Sequence, residues 1–133
     1  MEKIILDTNF LLIPYQFKLD IFKEIDRILH FDYSLFILDK TLDELNNIVE
    51  KQKGKDKDAA KFALKLLEAK KIKKIMSNAK NADDSIVDVA SQEKVIVATQ
   101  DKVLKQRLEE AGIPIIIMRQ KKKLELIGYG YTV

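Results

Sequence analysis

The stretch Lys3-Ile4-Ile5-Leu6-Asp7-Thr8-Asn9 constrains the fold of this chain more than any other. An apolar run of Ile and Leu stops abruptly at an acid flanked by small polar residues. A run without polar alternation suits a strand buried on both faces, as in a parallel sheet. Asp7 then stands at that strand's carboxyl end, where open parallel α/β sheets bind their ligands. The position also has an ordinary use, because Asp is a preferred helix cap.

The arrangement recurs along the chain. Leu35 to Leu38 is a second apolar run, ending in Asp39. Val95 to Ala98 is another, followed by Thr99-Gln100-Asp101, and Ile113 to Met118 is expected to be the last core strand. A weaker strand is expected near Ile72 to Ile75. Between these runs, apolar residues recur at helical spacing, as in Ile21/Ile25/Ile28, Leu42/Leu45/Val49, Ala60/Ala63/Leu67, Ile86/Val89 and Leu104/Leu108. Gly112 is expected to stop the last of these helices. Strand-like runs alternating with helical stretches predict an α/β fold whose parallel sheet is covered on both faces. With 133 residues, 47% of them hydrophobic, residues 1–133 are expected to form one domain. A basic, Gly- and Tyr-containing tail is expected from about residue 119.

Composition narrows the chemistry. There is no Cys, and His30 is the single His, so neither thiolate nor histidine metal sites are open to the chain. Any bound metal must be an oxygen-liking ion held by carboxylates. Glu2 and Asp7 interrupt the N-terminal apolar stretch, unlike a signal peptide, and no apolar run approaches the roughly 20 residues that span a bilayer. The expectation is a cytoplasmic protein with no membrane partner. The formal charge of +3 is only mildly basic, so the placement of charges matters more than their sum.

Four acids sit at element junctions: Asp7, Glu44, Asp84 and Asp101. Each has a structural explanation of its own. Asp7 and Asp101 suit N-caps, Thr41-x-x-Glu44 fits a capping box, and Asp84 favours a helix dipole. Successive right-handed βαβ units nevertheless bring such junctions to one rim of the sheet. Carboxylates gathered there repel and take up protons unless a cation compensates, and with no His or Cys a divalent ion such as Mg²⁺ or Mn²⁺ is the natural partner. Sites of that kind suit phosphodiester hydrolysis.

The same residues resemble the PIN-domain ribonucleases, and the resemblance covers nearly the whole chain. It rests on Leu6-Asp7-Thr8-Asn9, Glu44-Leu45, Ala82-Asp83-Asp84-x-Ile86 and Val97-Ala98-Thr99-Gln100-Asp101-Lys102-x-Leu104, in that order. It implies a three-layer α/β/α PIN-like domain with a central parallel sheet of four to five strands. By the same resemblance Asp7, Glu44, Asp84 and Asp101 match the catalytic, metal-binding acids, with Asn9, Asp83 and Thr99 in support. Within the family the chain is similar to the branch that processes small-subunit ribosomal RNA precursors. The matching segments are Lys18-Leu19-Asp20-Ile21, Asp101-Lys102-x-Leu104-Lys105-x-Arg107-Leu108 and Gly112-Ile113-Pro114-Ile115. Longer members of that branch carry a Cys/His zinc element that this chain lacks, and Gln100 replaces the more usual Asn or Arg.

The expected activity is a divalent-metal-dependent endoribonuclease acting on single-stranded or loop RNA, possible substrates including pre-rRNA. Lys102, Arg119, Lys121, Lys122 and Lys123 are the candidate RNA-binding residues, since an acidic rim repels phosphates unless cations flank it. Tyr129 and Tyr131 are open either to base stacking or to packing. VapC-type toxins share the four acids, and that reading implies an antitoxin partner; the family resemblance also implies a homodimer. A non-catalytic RNA-binding ribosome assembly factor is the remaining alternative. A phosphoacceptor receiver domain fits poorly because Ile72 to Ser77 offers no Asp, and no glycine-rich nucleotide loop is present.

Overall fold

The computed structural model describes residues 1–129. The strands are β1 (Glu2–Leu6), β2 (Tyr33–Leu38), β3 (Lys73–Ile75), β4 (Val95–Ala98), β5 (Ile115–Arg119) and β6 (Lys123–Ile127). They form one sheet in the order β3-β2-β1-β4-β5-β6, parallel throughout except for β6, which runs antiparallel to β5. The helices are α1 (Thr8–Leu11), α2 (Ile13–Phe17), α3 (Ile21–Ile28), α4 (Asp39–Lys51), α5 (Lys55–Ala69), α6 (Ala82–Gln92) and α7 (Lys102–Glu110).

The apolar runs behave as strands buried on both sides, and alternate residues feed two separate cores. Ile4 and Leu6 of β1, with Ile96 and Ala98 of β4, pack against α1 to α5. Ile5, Val95 and Val97 point the other way and pack under α6 and α7 through Ile86, Val89, Leu104 and Leu108. The result is the expected α/β/α sandwich. Its chain direction reverses at the centre, because β2 and β3 build outward from one side of β1 while β4 and β5 build from the other. Such a reversal leaves a crevice at the strand carboxyl ends.

Several expectations are corrected. The parallel part of the sheet has five strands, within the four to five expected, and the sixth, antiparallel strand turns part of the expected tail into structure. Lys123-Leu124-Glu125 alternates with period two, placing Leu124 in the core at 2% exposure. This edge strand is tied down from the flank, where the Leu124 amide donates to Glu24 Oε1 at 3.0 Å and Arg27 grips the same carboxylate. The lysines belong to a tight hairpin: the Lys122 amide donates to the Arg119 carbonyl, and Gln120 and Lys121 both have positive φ. That backbone twist matches paired strands, even though neither residue is Gly. Tyr129 stacks on Phe31 with ring centroids 4.8 Å apart and donates to Glu2. The other tail tyrosine, Tyr131, lies outside the described residues.

The expected capping box is also absent. The helix holding Glu44 begins at Asp39, so Thr41 is inside it, fully buried, and Glu44 lies beyond the first turn. Gly112 does end its helix. With φ of +74° it lets the Gly112 and Ile113 amides reach the Glu109 and Leu108 carbonyls, closing α7. Among the described residues no helix is long and apolar enough to cross a membrane. The edge strand's contribution is measurable. Leu124→Ala should cost about 2–4 kcal/mol of unfolding free energy by leaving a cavity, whereas Lys121→Ala should stay within about 0.5 kcal/mol in the same denaturation experiment.

Candidate active site

The crevice lies where β1 and β4 end side by side. The Asp7 amide donates to the Ala98 carbonyl at 2.9 Å, so the two chain ends are stitched together at the point where both turn into helices. Asp7 is 3% exposed, and its Oδ1 accepts the Thr8 amide at 2.8 Å. Its Oδ2 accepts the Thr99 hydroxyl at 2.7 Å. That hydroxyl has one proton, so its 3.5 Å approach to Asn9 Oδ1 is not a second donation. Asn9 Oδ1 instead accepts the Gln100 amide at 3.0 Å, while Thr99 Oγ1 accepts the Asp101 amide. Asn9 and Thr99 therefore fix the loop that carries Asp101.

Around Asp7 the chain forms a hollow of about 210 Å³ lined by Asp7, Thr8, Asn9, Leu12, Glu44, Ile48, Asp83 and Asp101. A second hollow of about 370 Å³ shares Glu44, Asp83 and Asp101 and adds Asn81, Ala82, Asp84 and Arg107. Asp101 caps α7 through the Leu104 amide at 2.9 Å, so the capping use and the place in the hollow coexist. The start of α6 is located by a partly buried relay in which Asp39 accepts from the Ser77 amide and hydroxyl, and Ser77 Oγ lies 2.9 Å from Ser85 Oγ. Another groove, between α2, α3 and α5, is lined by Pro14, Leu19, Phe22, Phe62 and Leu66 and holds one acid, Asp20, which caps α3.

The two neighbouring acids of α6 face differently. Asp83 lines both hollows. Asp84 lines only the outer one, where its Oδ2 accepts from Asn81 Nδ2 at 3.1 Å and its Oδ1 from Arg107 Nη2 at 3.2 Å. Asn81 and Arg107 carried no signal as site residues in the sequence; one reads as a helix cap, the other as the polar face of α7.

The family profile described as a PIN-like domain matches residues 4–121. The chain belongs to the PIN-like domain family. Among PIN relatives, Ribonuclease VapC4 of Methanocaldococcus jannaschii is 37% identical over 129 residues, covering 96% of this chain and 98% of that protein. Ribonuclease VapC9 of Archaeoglobus fulgidus is 31% identical over 121 residues, covering 90% and 85%. The PIN domain endonuclease Utp24 has a similar structure, with a TM-score of 0.77, 31% identity, and coverage of 94% of this chain and 90% of that one. A domain of a functionally unknown protein from Methanocaldococcus jannaschii shares the fold at a TM-score of 0.61 and 16% identity, covering 90% and 92%.

Electrostatics sets the PIN hollow apart from the rest of the surface. Burial pushes the Asp7 carboxyl up to about 6, against the hydrogen bonds from Thr99 and Thr8, and the Asp83 and Glu44 carboxylates add repulsion. Glu44 is raised by partial burial and by Asp83, with the Thr8 hydroxyl pulling the other way. Asp83 is raised by burial and by Asp101, with Arg107 pulling the other way. Thr8 Oγ1 is buried on the hollow's wall, close enough to the Glu44 carboxylate to favour its charged form but without a well-formed hydrogen bond among the described residues.

Hard oxygen donors and mutual repulsion between them fit a divalent cation in kind. Among the described residues no three Asp, Glu, His or Cys side chains converge on one point as they stand. Mg²⁺ does not require that, because it keeps several waters and takes one or two carboxylates directly.

A carboxyl raised by folding is protonated in the native state at pH values where the unfolded chain has released the proton, so its contribution falls as pH rises. For Asp7 the fall spans its ordinary value of 3.8 to about 6. A shift of two units corresponds to roughly 3 kcal/mol, reduced to about 1–2 kcal/mol in Asp7→Asn by the loss of one acceptor. Metal-free Asp7→Asn should fall about 1 kcal/mol below wild type near pH 4, where the lost acceptor is not offset, and exceed it by about 1–2 kcal/mol at pH 7.5. A pH-independent gap in denaturant titrations would leave Asp7 as a helix cap only.

Proposed function

We propose that this chain is a metal-dependent endoribonuclease that hydrolyses RNA phosphodiester bonds. The observation that carries the reading is the hollow at the β1–β4 junction, which Asp7, Glu44, Asp83 and Asp101 all line and no basic side chain does. These four residues are the set proposed to hold Mg²⁺ or Mn²⁺, which shifts the role expected of Asp84 onto Asp83. What such an ion supplies is positive charge that acidifies a water and offsets the charge gathering on the phosphoryl and leaving oxygens. Thr99 and the Thr8 amide orient the Asp7 carboxylate, and Asn9 keeps the Asp101 loop in register. The low-dielectric floor beneath Asp7 strengthens whatever charge is held there.

RNA must approach an acidic mouth, and lysines at the same end of the sheet offset that repulsion. Lys102 follows Asp101 directly. The Arg119 to Lys123 hairpin leaves β5 at its carboxyl end, next to Met118, whose amide donates to Gln100 at 3.3 Å. Arg119 is partly engaged with Glu125 at 3.2 Å, leaving Lys121, Lys122 and Lys123 as the more available cations.

Purified protein should cleave single-stranded RNA with Mn²⁺ or Mg²⁺ and stop when the metal is chelated. Asp83→Asn and Asp101→Asn should each lower kcat by about 10² or more if they hold a metal whose charge is worth several kcal/mol. Equal cleavage with and without chelator would overturn the metal-dependent mechanism, and RNA binding without cleavage would favour a non-catalytic assembly factor.

Two substrate readings rest on different likenesses. The segments Lys18 to Ile21, Asp101 to Leu108 and Gly112 to Ile115, which resemble the branch that processes small-subunit ribosomal RNA precursors, favour processing of precursor ribosomal RNA. Similarity to the VapC ribonucleases favours a toxin-type enzyme. We place processing first. Depleting the protein in its host and mapping RNA 5′ ends should reveal accumulated small-subunit precursor. Normal ribosomal RNA, with growth arrest on overexpression, would shift the assignment to the toxin type.

A further inference from the structure

The outer hollow has one basic side chain in its lining, Arg107. It projects from α7, is exposed, and reaches across to α6, where Nη2 meets Asp84 Oδ1 at 3.2 Å. That is the single hydrogen bond found for this guanidinium among the described residues, although the group carries five N–H donors. We infer that Arg107 is the phosphate-binding residue of this site, and that Asp84 is not a metal ligand but the carboxylate that holds Arg107 over the mouth until RNA takes it. The inference rests on the ribonuclease reading and deepens it.

Asp84 is built as a holder. Its Oδ2 is occupied by Asn81 Nδ2, its amide donates to Asn81 Oδ1 at 2.9 Å, and its Oδ1 is committed to Arg107. Both carboxylate oxygens are therefore engaged on the outward side, while Asp83 faces Asp7 and Glu44. The hold is weak by design of its setting. Both side chains are about half exposed, at 40% and 52%, and exposed ion pairs contribute about 0–1 kcal/mol. A phosphate offers the guanidinium a paired, charge-assisted contact that a single Nη2 bond does not.

A purely structural role, stapling α6 to α7, is the competing explanation. Those helices are already joined in the core by Ile86, Val89, Leu104 and Leu108, so an exposed pair adds little to their packing. Residue choice argues the same way. Only three of the 24 basic residues are Arg; Arg27 is engaged by Glu24 of its own helix, and Arg119 by Glu125 on the adjacent strand of the β5–β6 hairpin. Arg107 is the one of the three that lines the acidic mouth, and its planar fork suits phosphate where lysine elsewhere suffices for solvation.

The test uses the full chain with Arg107→Gln, Arg107→Lys, Asp84→Asn and the Arg107→Gln/Asp84→Asn double variant. Cleavage of a short single-stranded RNA gives KM and kcat, titration gives Mn²⁺ affinity, and filter binding without divalent metal gives RNA affinity. Arg107→Gln should lower kcat/KM and RNA affinity at least tenfold with Mn²⁺ affinity and melting temperature little changed, and Arg107→Lys should recover part of the loss. Asp84→Asn should tighten RNA binding, and that gain should shrink when residue 107 is already Gln. Loss of Mn²⁺ affinity in Asp84→Asn would make it a ligand and overturn the inference. So would unchanged RNA affinity in Arg107→Gln, or equal losses of stability in both single variants without a change in KM. If wild type binds RNA but never cuts it, the ribonuclease reading fails, while the binding comparison still decides the role of Arg107.

Discussion

The single hydrogen bond from the Asp7 amide to the Ala98 carbonyl marks the place on which the rest of the molecule turns. At that point two adjacent parallel strands end together, and the chain leaves each of them toward a different helical layer. Everything catalytic in the proposed reading is gathered by that divergence. Thr99 and Asn9 reinforce the junction from both strands, so the carboxylate at its centre is oriented before any ligand arrives.

This placement works against folding. Asp7 is surrounded by apolar strand residues below and by Glu44, Asp83 and Asp101 above, and its carboxyl is pushed up to about 6 by that burial. A domain that needed only stability would neutralise the position with an amide or fill it. Retaining repelling acids at such a place costs stability, and in the proposed reading a bound cation offsets that cost.

Much of this was legible in the residues. Ile4-Ile5-Leu6 and Val95 to Ala98 announced two-sided strands, because neither alternates, and the acids that end them had to share a rim once the sheet was parallel. Three things were not legible. Choosing between Asp83 and Asp84 requires the rotation of α6, which Asn81 and the Ser77–Ser85 relay set through contacts distant in sequence. The interior position of Thr41 depends on α4 starting at Asp39, a boundary that local signals place poorly because Thr41 and Glu44 have the spacing of a capping box. The strand at Lys123–Ile127 was masked by the lysine run before it, which reads as a solvated tail unless Leu124 is known to enter the core.

The edges of the sheet carry a consequence of their own. At one side β3 is three residues long, and its Lys73 and Lys74 are exposed. At the other, β6 alternates exposed Lys123 and Glu125 with its buried positions. Short, charged borders discourage a neighbouring molecule from continuing the hydrogen-bond ladder, a common safeguard against aggregation.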